Sequence, residues 1–367
     1  MLKICSFRNF VTIFMFKAVE ALAAGHPDKI CDQIAEGIVD EYLRRDPESR
    51  LDIKVLGSHG MMMIGGEVNS AADFDIANLA KQIYREIGYP DDLEVFVNVE
   101  SSSEEMKIAK GSYDTVVVNG YATRETREFL PLSFVWAQSL VKRLDDLRRL
   151  DPAFHWLQPD GKVQVVMDGK KIKAITLLAS HVENKPGLEI QNNLIERVIS
   201  PIIRDEGGQF FVNPLGSFVS HGFQADAGAS GRRAANDFYG GLIPHGDGSP
   251  IGKDPLRAER AGAYMARFVA KNLVANNFAD SVVVSLAYTL GRSEPIMIEA
   301  QTSVREKNEA AKKFVLDNFN FKLESIVEKL DLKKPRYRAV SVFGQFGRDG
   351  VPWEEVENSF SYFSTAP

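Results

Sequence analysis

The chain has 367 residues, 44% hydrophobic and 26% charged, typical of a globular protein long enough for about two or three domains. Its 44 Lys+Arg against 50 Asp+Glu give a net charge of -6, which argues against a general nucleic-acid partner but allows a local cation cluster on a small anion. Two cysteines without a CxxC spacing argue against a disulfide framework and a structural zinc site. No run approaches the apolar length of a membrane-spanning helix, so we expect no membrane partner.

The amino terminus allows two interpretations. An apolar run over residues 10–16, preceded by basic residues, imitates a secretory signal. The run is short, however, and Lys17 and Glu20 lie where a signal is neutral. We therefore favour an N-terminal extension over residues 1–15, with Met15 as a natural start. The scarcity of cysteine fits a reducing compartment, and we expect a cytoplasmic protein.

The first third of the chain predicts helices and strands in alternation. Pro27 suits the first position of a helix and Asp28 its first turn, and an apolar stripe then continues until Asp46-Pro47. Alternating apolar and polar residues predict a half-buried strand over residues 51–55. A strand-like run, a second helix and an exposed polar loop follow over residues 61–64, 74–87 and 101–112.

The rest of the chain continues this pattern. Asp254 as cap and Pro255 at the first position predict a long helix that ends near residue 274. Residues 220–253 are rich in glycine and contain few long apolar runs. The other predicted elements are helices over 132–149, 194–203 and 306–319, the last regular element, and strands over 162–167, 171–181, 210–219 and 281–289. This mixture indicates an α+β fold.

Glycines and cations are concentrated in one stretch. Gly228 and Gly231 precede Arg232-Arg233, and Gly252-Lys253-Asp254-Pro255 closes the region. Such loops let backbone N–H groups approach an anion while adjacent cations neutralise it. The spacing matches neither a Walker A loop nor a dinucleotide fingerprint. The pattern is as compatible with a polyphosphate site as with turns that carry solvated charges.

Carboxylates near these cations point to a metal. Asp28 and Glu259 fall in the first turns of predicted helices, and Asp114 and Asp226 fall in predicted loops. Carboxylates beside a polyphosphate commonly hold Mg²⁺, which takes oxygen ligands and keeps several waters. A capping role for Asp28 and a structural turn at His26 are the alternatives.

Several motifs together resemble the S-adenosylmethionine synthetase (methionine adenosyltransferase) family. Gly25-His26-Pro27-Asp28-Lys29 and the downstream Gly252-Lys253-Asp254-Pro255 are specific in combination, although each is weak alone. Order and spacing agree from about residue 16 to about residue 355. The further motifs are Asp32-Gln33, Gly65-Gly66-Glu67, Gly120-Tyr121-Ala122-Thr123, Phe210-Phe211-Val212-Asn213-Pro214, Asp237-x-Tyr239-Gly240-Gly241 and Gly344-x-Phe346-Gly347-Arg348.

The resemblance implies an α+β fold of three similar α/β domains around a pseudo-threefold axis. After the extension we place these domains at residues 16–102, 110–220 and 221–367. It also implies a homodimer or a dimer of dimers with active sites between subunits. The implied reaction is attack of the L-methionine sulfur on C5′ of ATP, after which the released triphosphate is hydrolysed to phosphate and diphosphate. Two Mg²⁺ ions are implied as cofactors.

Carried over position by position, the resemblance assigns roles to individual residues. It implies that His26 lies at the leaving oxygen of C5′ and that Asp28 and Glu259 ligate Mg²⁺. It assigns Glu67 and Asp114 to the methionine amino group. Residues assigned to ATP and its polyphosphate are Glu20, Lys29, Asp160, Lys162, Asp226, Arg232, Arg233, Lys253 and Arg257. The resemblance implies that His26, Lys162, Arg232 and Lys253 are catalytic.

Some positions depart from the family pattern. Lys54 stands where the family usually has a glutamate that ligates potassium. Either its ammonium replaces the ion, which makes K⁺ dependence doubtful, or it is a surface lysine on the exposed face of a strand. Arg233 and Arg257 replace family lysines, and Glu259 replaces an aspartate. These changes keep the charge but alter the reach of the side chain.

The largest departure is at residues 101–119. The family motif GAGDQG reads Gly111-Ser112-Tyr113-Asp114-Thr115-Val116, and the preceding segment, which carries a mobile active-site loop in the family, is shorter. The glutamine that holds the methionine carboxylate has no clear match. Since loop closure often excludes water and assembles a site, this departure predicts a slower or leakier enzyme, or a different acceptor.

Three hypotheses follow. The chain is an active methionine adenosyltransferase, or a relative with an altered acceptor or tripolyphosphatase activity only, or a non-catalytic nucleotide-binding homologue. The joint presence of His26, Asp28, Lys162, Arg232 and Lys253 favours catalysis, because a non-catalytic homologue has no reason to keep them together.

Overall fold

Three β-sheets, each packed against one long helix, organise the chain, as seen in a computed structural model that describes residues 16–104, 106, 110–204 and 207–357. The predicted extension over residues 1–15, with the signal and start-site hypotheses attached to it, lies outside the described residues. The three sheet-and-helix units confirm the predicted α+β fold of similar domains. Within the described ranges, no helix has both the length and the apolar character needed to cross a bilayer.

The helices and strands are numbered here in chain order. They are β1 (Phe16–Leu22), α1 (Pro27–Arg45), β2 (Arg50–Ser58), β3 (Met61–Asn69), α2 (Ile76–Ile87), β4 (Glu94–Glu100), β5 (Val116–Thr123), α3 (Leu132–Leu150), β6 (Leu157–Asp168), β7 (Lys171–His181), α4 (Gly187–Leu194), β8 (Gln209–Val212), β9 (Gly228–Ala229), α5 (Ala234–Phe238), α6 (Ala258–Ala275), β10 (Ser281–Tyr288), β11 (Met297–Thr302), α7 (Asn308–Asn318), α8 (Leu323–Lys329) and α9 (Tyr337–Val340).

Each sheet takes in a strand from a distant part of the chain. The strand orders are β4-β3-β2-β9, β1-β6-β7-β8 and β11-β10-β5. Strand β1 pairs antiparallel with β6, β5 with β10, and β9 with β2. The exchange is cyclic: the first predicted domain supplies a strand to the second, the second to the third, and the third to the first. The linear domain boundaries stay a prediction, while these pairings join the three units.

The long helices pack onto the sheets through buried apolar faces. Helix α1 packs on β2, α3 on β1 and β6, and α6 on β5 and β10. Ile30, Ile34 and Ile38 of α1 have no exposed surface, as their spacing predicted. Helix α6 approaches β5 so closely that a Cβ on Gly120 would lie 1.9 Å from the carbonyl carbon of Ala266.

Most predicted elements are present, but several bounds are corrected. Helix α6 begins at Ala258 rather than at Pro255, with Arg257 at the cap position. Asp254 does not cap it, because its carboxylate accepts the N–H groups of Leu51 and Leu256 at 3.1 and 2.9 Å. The preceding segment is therefore bound to β2 and cannot join the helix.

The remaining corrections concern strand length and elements that were missed. Strand β8 ends at Val212, not at residue 219, since Asn213 has a φ of 41° and its side chain bonds to the Ala179 backbone. Residues 104 and 106 are helical, so the loop predicted over 101–112 is not wholly irregular. Strands β1, β4, β5, β9 and β11 and helix α5 were missed, and α8 and α9 follow the helix predicted to be the last element.

Candidate active site

Both glycine-rich segments that carry the predicted cations pair with strand β2. Strand β9 lies opposite Leu56, and Lys253 lies opposite Asp52. The N–H of Ile53 also donates to the Gly252 carbonyl at 2.8 Å. Because a strand rises about 3.3 Å per residue, the two segments are held roughly 13 Å apart along one edge. Strand β2 therefore aligns two groups of cations that are separate in the sequence.

The carboxylate of Asp28 is the centre of the first group. It is fully buried, its Oδ1 accepts the N–H of Ala229 at 3.0 Å, and the Nε atoms of Arg232 and Arg233 lie 2.8 Å from its two oxygens. Burial alone raises the pKa of this carboxyl, but the hydrogen bonds from Arg233, Ala229 and Arg232 together lower the pKa below its usual value. Three predicted site residues thus meet here.

His26 caps α1 beside this group. Its Nδ1 accepts the backbone N–H of Asp28 at 3.2 Å, which places the ring proton on Nε2. Burial lowers the pKa of His26 to about 4, with Asp28 opposing the shift and the charges of Arg233, Lys162 and Lys29 adding to it. The imidazole is therefore neutral at pH 7, and its Nε2–H can donate to an oxygen.

Lys162 and Glu20 form an ion pair on the neighbouring strands β6 and β1. The Lys162 Nζ lies 2.8 Å from Glu20 Oε2, and both side chains are partly exposed. Gln164 donates to the other Glu20 oxygen at 3.2 Å, and Asn236 donates to the Glu20 carbonyl at 3.1 Å. The lysine is accordingly paired but accessible, and its charge also reaches His26.

Lys253 and Glu259 form the core of the second group. The Lys253 ammonium donates to Glu259 Oε1, and both residues are largely buried. The second oxygen, Glu259 Oε2, is buried and has no hydrogen-bond partner among the described residues. A buried carboxylate oxygen without a hydrogen-bond donor or a cation is unfavourable in free energy. Glu259 Oε2 is therefore suited to bind a cation.

Arg257 brings the segment around Asp114 to the same group. Its Nε lies 3.4 Å from Asp254 Oδ2, and its guanidinium lies 4.8 Å from the centre of the Tyr113 ring. Asp114 follows this ring, is exposed, and accepts the N–H of Thr115. The segment at Tyr113 and Asp114 thus lies next to the start of α6.

The outer face of the β2–β3 pair carries the other predicted residues of this group. Glu67 is exposed and lies directly opposite Asp52 in the strand register. The Lys54 ammonium lies 2.7 Å from Asp52 Oδ1, and its side chain is 56% exposed. Asp52 in turn pairs through its backbone with Lys253. Lys54 is therefore on an exposed face, as one hypothesis expects, and also beside the site, as the other expects.

Lys29 and Asp160 are bound to other groups of the protein, whereas Asp226 is exposed. The buried Lys29 ammonium lies 2.8 Å from carboxylate oxygens of both Asp32 and Asp237. Burial raises the pKa of Asp160 to about 7, and this carboxyl accepts the N–H of Gly222 at 2.9 Å. Asp226 is exposed and accepts the neighbouring Ala227 N–H. Their assignment to the nucleotide stays a prediction.

Cations and buried carboxylates from distant parts of the chain lie along one strand, with a neutral histidine beside the first group. These are the features of an enzyme that stabilises a developing anion. Comparison with known proteins agrees with this class. The family models described as S-adenosylmethionine synthetase N-terminal, central and C-terminal domains match residues 14–113, 109–218 and 220–355.

Curated relatives match nearly the whole chain. Proteins named S-adenosylmethionine synthase from Mesoplasma florum and Aquifex aeolicus are each 34% identical, over 92% and 94% of this chain and 96% and 97% of their own lengths. One from Sorangium cellulosum is 34% identical over 93% of this chain and 87% of its own length. The chain belongs to the S-adenosylmethionine synthetase family. The predicted enzyme class, a methionine adenosyltransferase, is confirmed.

Proposed function

We propose that this chain synthesises S-adenosylmethionine from ATP and L-methionine, and that it hydrolyses the triphosphate to phosphate and diphosphate before release. The observation that carries the proposal is that His26, Arg232 and Arg233 each lie within hydrogen-bond distance of Asp28, although the arginines are more than 200 residues away in the chain. A location in the cytoplasm stays a prediction.

The proposed reaction needs no base. The methionine sulfur attacks C5′ as a neutral nucleophile, the C5′–O bond breaks with its electron pair, and the sulfur becomes a sulfonium. A thioether is a weak nucleophile, so positioning supplies much of the rate. The triphosphate gains negative charge in the transition state, where Arg232, Arg233 and Lys253 stabilise it more than the ground state. The Nε2–H of His26 donates to the departing oxygen.

The chain also offers carboxylates for the two proposed Mg²⁺ ions. Among the described residues, no three acidic, histidine or cysteine side chains converge on one point. Mg²⁺ is commonly held by one or two carboxylates, substrate phosphates and water, so single carboxylates are sufficient. The unpartnered Oε2 of Glu259 fits this role. Asp28 fits once its arginines turn to the phosphates. When bound, the ions neutralise phosphate charge.

A homodimer, or a dimer of dimers, with active sites between subunits is part of the proposal. The outer face of the first sheet carries a row of apolar side chains, in which Met63 lies between Leu56 and Phe96 in the strand register. These side chains are 53%, 59% and 47% exposed for Leu56, Met63 and Phe96. Such a row is typical of a surface covered by another protein. Glu67, proposed to bind methionine, shares this face, so a partner would enclose it.

The Lys54 ammonium is proposed to replace a potassium ion. It carries the charge of the ion, and its ion pair with Asp52 places it next to the backbone of Lys253. The acidic pair Asp52 and Glu67 lies face to face across two strands, an arrangement that is unfavourable without a neighbouring cation. A fixed ammonium at this place removes the need for an ion from solution.

A product assay tests the proposed function. The protein is incubated with ATP, methionine and Mg²⁺ and the products are measured by mass spectrometry. We expect S-adenosylmethionine with matching amounts of phosphate and diphosphate. Consumption of ATP or tripolyphosphate without that product would contradict the proposal in favour of another acceptor, and ATP binding without turnover would support a non-catalytic homologue.

A matched pair of variants accompanies the assay. Arg233→Met removes a partly exposed arginine 2.8 Å from Asp28, and Arg197→Met removes one 2.9 Å from Asp151, at the C-terminal end of α3. The first should lose most activity and the second almost none. Equal activity of the two variants would show that the Asp28 group does not act in catalysis.

A further inference from the structure

Acidic residues recur at every fourth position along α1, and each accepts hydrogen bonds from the backbone of residues beyond position 228. Residues four apart lie on one helix face, so these carboxylates form a line that faces inward. The first three are essentially unexposed. Asp28 binds Ala229, Asp32 accepts the N–H of Gly231 at 2.7 Å, Glu36 accepts the N–H of Gly252 at 3.4 Å, and Asp40 accepts the N–H groups of Arg336, Tyr337 and Arg338 at 2.9 Å each.

Glu36 forms a buried ion pair with Arg260 of α6. The Arg260 Nη2 lies 3.0 and 2.7 Å from the two Glu36 oxygens, and neither side chain has more than 1% of its surface exposed. The Tyr337 ring covers the guanidinium at 3.8 Å. The charge of Glu36 holds the pKa of Arg260 above its usual value although burial alone would lower it.

This pair holds the loop that carries Lys253. Arg260 donates through Nε to the Lys253 carbonyl at 2.8 Å and through Nη2 to the Pro250 carbonyl at 2.6 Å. Glu36 accepts the Gly252 N–H between those two carbonyls. Three hydrogen bonds from one ion pair thus fix the backbone of residues 250–253. The ammonium of Lys253 then meets Glu259, the residue next to Arg260.

We propose that Glu36 and Arg260 are positioning residues of the active site, which set where Lys253 and Glu259 meet the polyphosphate. A buried ion pair contributes little net stability compared with apolar residues of the same volume. A pair that also makes three bonds to one loop is better explained by the need to place that loop. The inference rests on the proposed function, because it assigns Lys253 to the polyphosphate.

The same helix supplies a matched control. Arg267, seven positions further along α6, forms a buried two-point ion pair with Glu354 at 2.9 and 2.9 Å. Its remaining donors bind the carbonyls of Tyr121, Glu128 and Phe129, away from residues 250–253. Both pairs are buried, but they hold different segments, and Glu354 also accepts from the Lys271 ammonium at 2.7 Å.

The experiment compares Glu36→Gln with Glu354→Gln in the full chain. Thermal unfolding, the affinity for tripolyphosphate with Mg²⁺ by titration calorimetry, and kcat and KM are measured for both. Both variants should lose thermal stability. Only Glu36→Gln should also lose affinity for tripolyphosphate. Its kcat should fall by about 10- to 100-fold, the loss expected when the Lys253 loop is misplaced by about 1 Å. A Glu36→Gln variant with the affinity and kcat of Glu354→Gln would overturn the proposal.

A second variant covers the case in which Glu36→Gln does not fold. Arg260→Lys keeps the charge but loses the planar fork that reaches two carbonyls, so it should reproduce the loss of affinity with less loss of stability. Wild-type affinity in Arg260→Lys would also overturn the proposal. The affinity for tripolyphosphate is measured without methionine, so it does not depend on S-adenosylmethionine synthesis. The positioning proposal and the proposed function can therefore fail separately. Wild-type protein that binds tripolyphosphate but makes no S-adenosylmethionine contradicts the function alone, and wild-type protein that does not bind it contradicts both.

Discussion

Asp28 and Arg233 meet at 2.8 Å although 205 positions separate them in the chain. Asp28 lies in the first turn of α1, and Arg233 follows β9, which pairs with the strand after α1. A buried carboxylate thus holds the arginine while its outer side stays partly exposed. An incoming polyphosphate would have to compete with Asp28 for this cation, so charge at Asp28 should matter more to activity than to folding.

Asp28→Asn tests that expectation. The amide oxygen can still accept the Ala229 N–H, but the charge that orients both arginines is lost. We expect S-adenosylmethionine formation to fall by about 100-fold, in the range seen for loss of one fixed stabilising group. The unfolding midpoint in urea should also fall at pH 7, but by a smaller free energy, because the lowered pKa of Asp28 means that its charge stabilises the folded state. Asp151→Asn, which removes the surface partner of Arg197, is the control. Activity close to that of the control would contradict the role of Asp28.

Lys253→Met should damage both stability and activity. It leaves the buried Glu259 carboxylate without its cation, which should cost about 3 kcal/mol of unfolding free energy. The double variant Lys253→Met, Glu259→Gln removes the charge as well and should recover most of that stability, but no activity. Denaturant unfolding and the product assay measure the two effects. Recovery of activity in the double variant would mean that neither residue acts on the substrate.

The wild-type enzyme should be as active in NaCl as in KCl, because the Lys54 ammonium supplies the positive charge beside Asp52. The Lys54→Glu variant should be less active than wild type in NaCl, and KCl should restore its activity. Lys142→Glu, an equally exposed lysine paired with Asp146, is the control and should show neither effect. A several-fold rise of wild-type activity in KCl would refute the replacement of potassium by Lys54.

Asp160→Asn should change how stability depends on pH. Burial raises the pKa of this carboxyl from 3.8 to about 7, so the folded state keeps the proton more tightly than the unfolded state. Stability is therefore lost as pH rises from about 4 to about 7. At about 1.4 kcal/mol per pH unit, the ionised carboxyl costs up to about 4 kcal/mol above pH 7.

Asparagine keeps an acceptor for the Gly222 N–H without the ionisation. Urea unfolding of both proteins at about pH 5 and about pH 8 should show the variant gaining on the wild type as pH rises. A constant difference between the two proteins would show that Asp160 keeps its ordinary acidity.

Gly228→Ala should separate β9 from α1. A Cβ on Gly228 would lie 2.1 Å from the Pro27 carbonyl oxygen, which is backbone and cannot turn away. We expect a loss of about 1–3 kcal/mol in stability together with a larger loss of activity, because β9 carries the chain toward Arg232 and Arg233. In Gly187→Ala the nearest atom is 3.4 Å away, so that variant should behave as wild type. Equal effects of the two changes would contradict this account.

The periodicity of apolar residues predicted a helix well where one buried apolar face was sufficient to define it. In α1 the apolar residues at every fourth position, Pro27 at the start and Asp46 at the end are all local signals, and the helix forms between them. In α6 the same signals were wrong by three residues. Pro255 and Asp254 suit a helix start, but the Asp254 carboxylate accepts the N–H of Leu51 in β2. A contact between residues so far apart in the chain cannot be predicted from local sequence.

The site shows the same division. The motifs alone were sufficient to find the family and to single out His26, Asp28 and the two cation segments. They could not show that Lys29 is buried between Asp32 and Asp237, or that Glu36 and Arg260 hold the Lys253 loop. The acidic spacing of α1 was the available signal, and it was missed because a helix with carboxylates every four residues usually presents them to solvent.

By itself, then, the sequence determined the fold class, the family and the types of side chain available for the chemistry, because these depend on residue identity and local periodicity. The tertiary structure decided which cations face which carboxylates and which ionisable groups are buried. Those outcomes depend on the cyclic exchange of β1, β5 and β9 between the three sheets. Which distant strands pair depends on how the whole chain packs. The same packing excludes water from some ionisable groups and thereby shifts their pKa values.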